Sequence, residues 1–408
     1  MWNMRLDFPT KRIKEGAAFL LVPKLELAKG EPFDRAISKA SVFYNPRMRL
    51  NRDIAVLALG VYQRRLSRQL ANCEPMCGTG VRGIRLALEV PDVDEVVMGD
   101  LNPSAVRLAE ENAAINQVSD RVRIRLMEAN LLLSLHDRPW RRFDYIDLDP
   151  YGSPVPYLDA TIRACRNGGM IALTATDMAP LCGVNPKACL RKYGGLPLRT
   201  EYCHEVALRL IAGTAVKTAA VHEVAAQPVF GYAVDHYVRL YMLLVRGARK
   251  ADHCLDRMGY FLHCRKCSNR ISASTRELRQ LSGCDVCGSR LEVGGPMWLG
   301  ELSERGFCDE MLSLANRSFL SSDRRLMNLI RLVSDEVGFK PGFYNIDALC
   351  SKLRIASLST RDVLSALEEA GFDAVRTHFD GRGVKTDASI VELENVLKGF
   401  SKRAGRGD

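Results

Sequence analysis

No apolar run in the 408 residues approaches the ~18 needed to cross a bilayer, which excludes a helical membrane protein. The opening stretch MWNMRLDFPTKRIKEG lacks the apolar core of a secretory signal, so the expectation is a cytoplasmic protein. Internal repeats and low-complexity tracts are also missing, which sets aside solenoid arrays and linker-like chains. Thirteen cysteines in a long chain without a signal read as reduced thiols and a metal site rather than as a disulfide scaffold. What the sequence does have is positive charge. Lys and Arg number 58 against 48 Asp and Glu, a net charge of +10. A basic face gains affinity for a polyanion by releasing counterions, so nucleic acid is the natural partner class. A chain of this length, 47% hydrophobic, has room for two to three domains of about 100–200 residues.

Residues 1 to about 50 have no clear period. FYNPRMRLNRD (Phe43–Asp53) reads as a turn at Asn45-Pro46 that opens a helix, and apolar residues at helical spacing continue through NRDIAVLALGVYQRRLSRQL. From Ala71 strands and helices alternate: VVMGD as a strand, NPSAVRLAEENAAINQV as a helix with Asn102 as its cap and Pro103 in its first turn, then VRIRLMEAN and FDYIDLD as strands. VPYLDATIRACRNGG reads as a helix ended by glycine, MIALTATD as the next strand, and Pro228–Gly247 as a late strand pair. Such alternation over about 180 residues implies βαβ units and a mostly parallel sheet. We therefore expect an α/β domain over 1–250, a cysteine module over 251–300, an α+β domain over 301–400 and a basic, disordered tail over 401–408. In the third of these, two short helices and a ribbon around AVRTHFDGRGVKTD resemble a winged helix.

Chemistry concentrates at two places in the first domain. CEPMCGTGVRGIR holds Gly78-x-Gly80-x-x-Gly83, a turn that lets backbone approach a ligand at a helix N-terminus, and Asp100 ends the next strand, where a carboxylate can accept from both hydroxyls of a ribose. Nicotinamide dinucleotides and S-adenosylmethionine both fit this pattern. The second place is Asp149-Pro150-Tyr151, which stops the strand FDYIDLD. Pro150 has no N–H to give the ladder, and the carboxyl end of a strand is where open α/β sheets place ligands. The triplet is close to the Asp/Asn-Pro-Pro-Tyr/Phe signature of enzymes that methylate exocyclic amines. An amine conjugated to a ring is a poor nucleophile; an acceptor that grips its hydrogen raises its electron density and can take the proton. Tyr151 can stack on the base, and a base in folded RNA must leave its stack to reach the pocket. Glu74, just ahead of the glycines, lies where class I methyltransferases carry an acid near the methionine part of the cofactor.

Cys264-x-x-Cys267 and Cys284-x-x-Cys287, sixteen residues apart, have the spacing of two knuckles closing on one tetrahedral Zn²⁺. Four thiolates complete the coordination shell, so that zinc would be structural. His263 and Cys254 lie near and are not needed.

Taken together, EGAAFLLVP, FYNPRMRLNRD, GTGVRGIR, DLDPYGSPVPYLDA, LTATDMAPLCG, RKYGG, FGYAVDHYVR and HFDGRGVKTDA resemble the tRNA (guanine(26)-N2)-dimethyltransferase family in its archaeal form. The resemblance runs from about Glu15 to Asp387. It implies a class I Rossmann-like, S-adenosylmethionine-dependent methyltransferase domain, with one or two methyl groups going to N2 of guanine 26 of tRNA. It implies that Arg52 and Arg82 approach the methionine end of the cofactor and that Asp100 holds the ribose. Glu128 and Ala129 border the adenine, Asp149 is the catalytic acceptor, and Phe43 and Tyr151 sandwich the guanine. Relatives often have Phe at the position of Tyr151. On the residues alone three alternatives stay open: an NAD-dependent oxidoreductase, a methyltransferase of another amine in DNA or protein, and an RNA-binding chain without turnover. The sequence leaves open the number of methyl groups, the tRNA preference and the docking face. It also leaves the oligomeric state open, with a monomer expected.

Overall fold

The computed structural model describes residues 6–25 and 32–404. Its centre is a seven-stranded sheet built from β3 (Leu70–Glu74), β4 (Val93–Asp100), β5 (Val122–Leu126), β6 (Phe143–Leu148), β7 (Cys165–Ala175), β8 (Val224–Val234) and β9 (Tyr237–Arg246), after an N-terminal hairpin of β1 (Thr10–Glu15) and β2 (Ala18–Pro23). The strand order is β5-β4-β3-β6-β7-β9-β8. The first five run parallel; β9 is antiparallel to β7 and pairs with β8 as a hairpin. The order reverses between β3 and β6. In open α/β sheets that switch point opens a crevice at the carboxyl ends of the strands.

Both faces of the sheet are covered, which is why its strands read as near-continuous apolar runs. Alternation along each strand divides the residues between two cores. Tyr145, Met170 and Ala172 face the core formed with the helices Arg49–Leu66, Val81–Glu89, Arg305–Asn316 and Arg324–Asp335. Ile146, Ile171 and Leu173 face the core formed with Leu158–Ala164 and Cys203–Ala220.

The expected turn at Asn45 is present. Its side chain accepts from Arg47 N–H at 3.0 Å, and a single 3₁₀ turn leads into the helix Arg49–Leu66. Asn102 likewise caps the helix Pro103–Ile115. Two local readings are corrected. The helix expected over VPYLDATIRACRNGG stops at Ala164, and Arg166–Gly169 already belong to β7. Gly168 has φ of +77°, and a Cβ at Gly169 would lie 2.5 Å from Cys165 Sγ, so these glycines form an irregularity in the strand instead of a helix cap. Residues without a period also conceal β1 and β2, joined through Gly16 at φ +59°. β2 lies against the helix Pro103–Ile115, whose Asn112 and Asn116 amides bond the backbone of Leu21 and Phe19 as a neighbouring strand would.

β10 (Met258–His263), β11 (Arg270–Ala273) and β12 (Glu292–Trp298) form a small antiparallel sheet that carries the cysteines. The C-terminal module has its own core around Ile346, Leu349, Val363, Leu367, Val384 and Leu393. There the helices Ile346–Leu353, Thr360–Glu369 and Ile390–Ala404 pack on β13 (Tyr344–Asn345), β14 (Ala374–Arg376) and β15 (Gly383–Thr386). Of the tail expected to be disordered, residues 401–404 continue the last helix; 405–408 lie outside the described residues. No helix among the described residues is long and apolar enough to cross a membrane.

Candidate active site and cysteine centre

β3 ends on Glu74 and β6 is followed at once by Asp149, so both acids stand at the switch point. Tyr145, Asp147 and Asp149 alternate onto one side of the chain. Arg82, from the helix that opens at the glycine turn, reaches that side. Its guanidinium pairs with Asp149 Oδ2, donates to Asn51 Oδ1 at 2.7 Å and lies 3.5 Å from Asp147 and 3.3 Å from Glu74. Arg239 on β9 completes the network, donating to both oxygens of Asp147 at 2.9 and 2.5 Å and to Thr174 Oγ1 at 2.7 Å. Glu74, Asp147, Arg82 and Arg239 are all buried. Burial raises the Asp147 carboxyl, but the two guanidiniums outweigh it and hold the group below the usual range. Glu74 goes the other way. Burial dominates, Arg82 opposes it and Asp147 adds to it, and the carboxyl is pushed up to about 8.

The loop after β6 is tied to the loop after β7. Gly152 N–H donates to Thr176 Oγ1 at 2.8 Å, and Thr176 N–H donates to Gly152 O at 2.9 Å. Asp177, next in line, accepts from Tyr193 Oη at 2.5 Å and Lys192 Nζ at 2.8 Å. Pro150 is buried and Tyr151 is 88% exposed. The result is an anchored acceptor with a bare aromatic ring beside it.

The glycine turn runs from Cys77 to Gly80, with left-handed φ of +53° at Gly78 and +74° at Gly80. Asp100 accepts from Gly78 N–H and from Asn102 N–H, both at 2.9 Å. Glu128 caps the helix Ala129–Ser134 by accepting from Leu131 N–H at 2.9 Å. Asp100 and Glu128 are partly exposed at the ends of β4 and β5, and each oxygen retains a lone pair for a hydroxyl or amino donor. The buried Thr79 hydroxyl in the same turn has no hydrogen-bond partner among the described residues. These acceptors fit the hydroxyl and amino donors of a nucleoside. Ala129 is buried beneath Glu128. Phe43 is 51% exposed, and its carbonyl lies 3.1 Å from where a Gly78 Cβ would be, so the FYNP segment stands over the glycine turn.

Two expected cofactor arginines are already engaged. Arg52 holds Glu15 with two bonds of 2.6 Å and reaches the Asn45 carbonyl at 3.2 Å. Burial alone would raise Glu15, yet Arg52 and Arg85 bring it down to about 2. Arg82 serves Asp149 as described. The sequence reading missed Asp147, Arg239, Asn51 and Thr176. A signal for Asp147 was available: a second acid two residues before Asp149, inside an apolar strand, must be buried with a partner.

The four expected cysteines converge. Their sulfurs all lie within 4.8 Å of one another, with Cys264–Cys287 at 3.5 Å and Cys267–Cys284 at 3.4 Å. The two knuckles repeat one geometry. Ser268 N–H bonds Cys264 O and Gly288 N–H bonds Cys284 O, each at 2.8 Å, and both donors have left-handed φ. None of the thirteen cysteines is in a disulfide. This soft, four-sulfur cluster fits a tetrahedral metal ion.

A family model described as N2,N2-dimethylguanosine tRNA methyltransferase matches residues 16–398. The chain is 39% identical over 393 residues to the tRNA (guanine(26)-N(2))-dimethyltransferase of Methanothermobacter thermautotrophicus, covering 95% of this chain and 98% of that protein. It is 41% identical over 389 residues to the protein of the same name from Methanopyrus kandleri, covering 94% and 96%. An Aquifex aeolicus relative, named for guanines 26 and 27, is 34% identical over 389 residues, covering 95% of each chain. The solved complex of Trm1 from Pyrococcus horikoshii with S-adenosyl-L-methionine superposes with a TM-score of 0.82 at 32% identity, covering 95% of this chain and 99% of that one.

Proposed function

The chain belongs to the N2,N2-dimethylguanosine tRNA methyltransferase family, and on that premise we propose that it transfers methyl groups from S-adenosylmethionine to N2 of guanine 26 in tRNA, giving N2,N2-dimethylguanosine. The observation that carries the reading is Asp149, fixed at the switch point by a buried guanidinium next to an exposed Tyr151. S-adenosylmethionine, when bound, supplies an already activated methyl on a sulfonium. Asp100 would hold its ribose, Glu128 and Ala129 would border its adenine, and Arg52 and Arg82 would stand toward its methionine end. Phe43 and Tyr151 would stack on the guanine. Asp149 would accept the N2 hydrogen and then its proton, with Arg82 keeping the carboxylate aimed. The family membership, rather than the glycine turn, sets this reading apart from a dinucleotide oxidoreductase.

The four-cysteine cluster would hold a structural Zn²⁺. The C-terminal module, with its winged-helix-like order of two helices and a ribbon, would contribute basic surface for the tRNA body. The reading is of a monomeric enzyme of the cytoplasm, and cysteines without disulfides accord with that reducing compartment. The test uses unmodified tRNA transcripts, labelled S-adenosylmethionine and nucleoside analysis. N2-methylated guanosine should form and should vanish when guanine 26 is changed. Asp149→Asn should slow transfer by about 10²–10⁴-fold with cofactor affinity kept; normal turnover by that variant removes Asp149 from the role.

A further inference from the structure

We propose that Cys182, Cys203 and His204 form a second metal site, separate from the four-cysteine cluster, that takes one Zn²⁺ through three protein ligands. Cys182 directly follows the short helix Met178–Leu181, on the loop that leaves the carboxyl end of β7. Cys203 and His204 are the first two residues of the long helix Cys203–Ala220. Fifty-nine residues lie between His204 and Cys264, the nearest member of the other cluster, so no cysteine motif in the sequence announces it. The fold brings both sulfurs and a ring nitrogen within 4.8 Å of one another. Ligand atoms around a tetrahedral zinc lie about 3.3–3.8 Å apart, so only a small contraction is needed. The His204 ring makes no hydrogen bond among the described residues.

Two thiolates and an imidazole suit Zn²⁺ among the common divalent ions. All three residues are half-buried, so an ion can enter from solvent. Three ligands leave a fourth position for water or a small anion. His204 also borders a cavity of about 300 Å³ together with Asp235, Arg325 and Asn328. The consequence is positional. Thr176, which holds the Gly152 backbone, lies six residues before Cys182, so the ion would fasten the loop behind Asp149–Tyr151 to the helix Cys203–Ala220.

Metal analysis of the full chain, loaded with Zn²⁺ and freed of loose ions, tests this. The parent chain should hold two equivalents. Cys203→Ser should hold one, and so should a Cys264→Ser/Cys267→Ser variant. Co²⁺ loaded into the latter should show tetrahedral absorption with thiolate charge transfer, lost on adding Cys203→Ser. If the variant lacking the knuckle cysteines does not fold, the comparison rests on the parent chain against Cys203→Ser and His204→Gln, read by zinc release to a chelating dye. One equivalent in the parent and the same in Cys203→Ser overturns the proposal. So does a Cys182–Cys203 disulfide in place of the second ion, detected by mass spectrometry after preparation without reductant.

Discussion

Tyr151 and Glu74 show how differently two residues of one site behave. Tyr151 is exposed and its hydroxyl touches nothing that the reaction needs, so its ring face is what counts. Tyr151→Phe should keep kcat/KM within about twofold, whereas Tyr151→Ala should lose ~1–3 kcal/mol of stacking, roughly 5- to 150-fold in KM for tRNA. Steady-state kinetics on transcripts decides it; an unaffected Ala variant means that the guanine does not stack there. Glu74 is buried, with its carboxyl raised from 4.5 to about 8. An acid that titrates higher in the folded chain than in the unfolded one contributes fully below pH 4.5 and loses that contribution as pH rises toward about 8. Glu74→Gln keeps the acceptor for Gly83 N–H, which now lies at 2.9 Å, and removes the titration. Urea unfolding should therefore show the parent weakening relative to the Gln variant between pH 5 and pH 8. Parallel curves would mean that Glu74 ionises normally.

Among the elements, the N-terminal hairpin depends most on a few polar groups. β1 alternates weakly and is largely exposed, and β2 has no neighbouring strand except β1. Asn112 substitutes for one. Its Oδ1 accepts from Leu21 N–H at 2.7 Å, and its Nδ2 donates to Leu21 O and Thr79 O at 3.0 Å. Asn112→Ala should cost ~1–3 kcal/mol by leaving backbone groups unpaired, and hydrogen exchange should report it as faster exchange at Leu21. The hairpin also delivers Glu15 to Arg52 and Arg85, so loosening it should disturb the FYNP segment that Arg52 holds through Asn45. Protection unchanged at Leu21 would show that the amide does not carry the hairpin.

Across the whole molecule, one buried pair joins the catalytic sheet to the C-terminal module. Glu205, on the helix packed beneath β8, accepts from Lys385 Nζ on β15 at 2.8 Å, from Gly342 N–H at 3.0 Å and from Arg209 at 2.8 Å. Burial opposes its ionisation, but Lys385 and Arg209 prevail and bring the carboxyl down to about 2. That contribution is complete above pH 4.5 and is lost as pH falls toward about 2, the reverse of Glu74. Lys385→Met should destabilise the chain by ~3–5 kcal/mol at neutral pH, because it strands part of a buried charge. It should also flatten the acid limb of the stability profile. A loss under about 1 kcal/mol in chemical denaturation would mean that water already serves Glu205.

The sequence alone determined the parts whose physics is local. Short apolar runs between helical patterns marked the strands, Asn45 and Asn102 marked their turns, and the glycine spacing with Asp100 marked a nucleoside site. The cysteine spacing marked the four-sulfur cluster, and the motif set marked the family. Tertiary structure decided whatever depends on residues far apart in the chain. Arg82 is expected from the resemblance at the methionine end of the cofactor; the fold makes it the buried partner of Asp149, because the helix that opens at the glycine turn carries it to the end of β6. Asp147 and Arg239 meet only because β9 runs antiparallel beside β7. Gly168 and Gly169, which locally suit a helix end, form a strand irregularity because β7 must start early to pair with β6. Long-range pairing of buried charge leaves no periodic trace, so the fold alone reveals it.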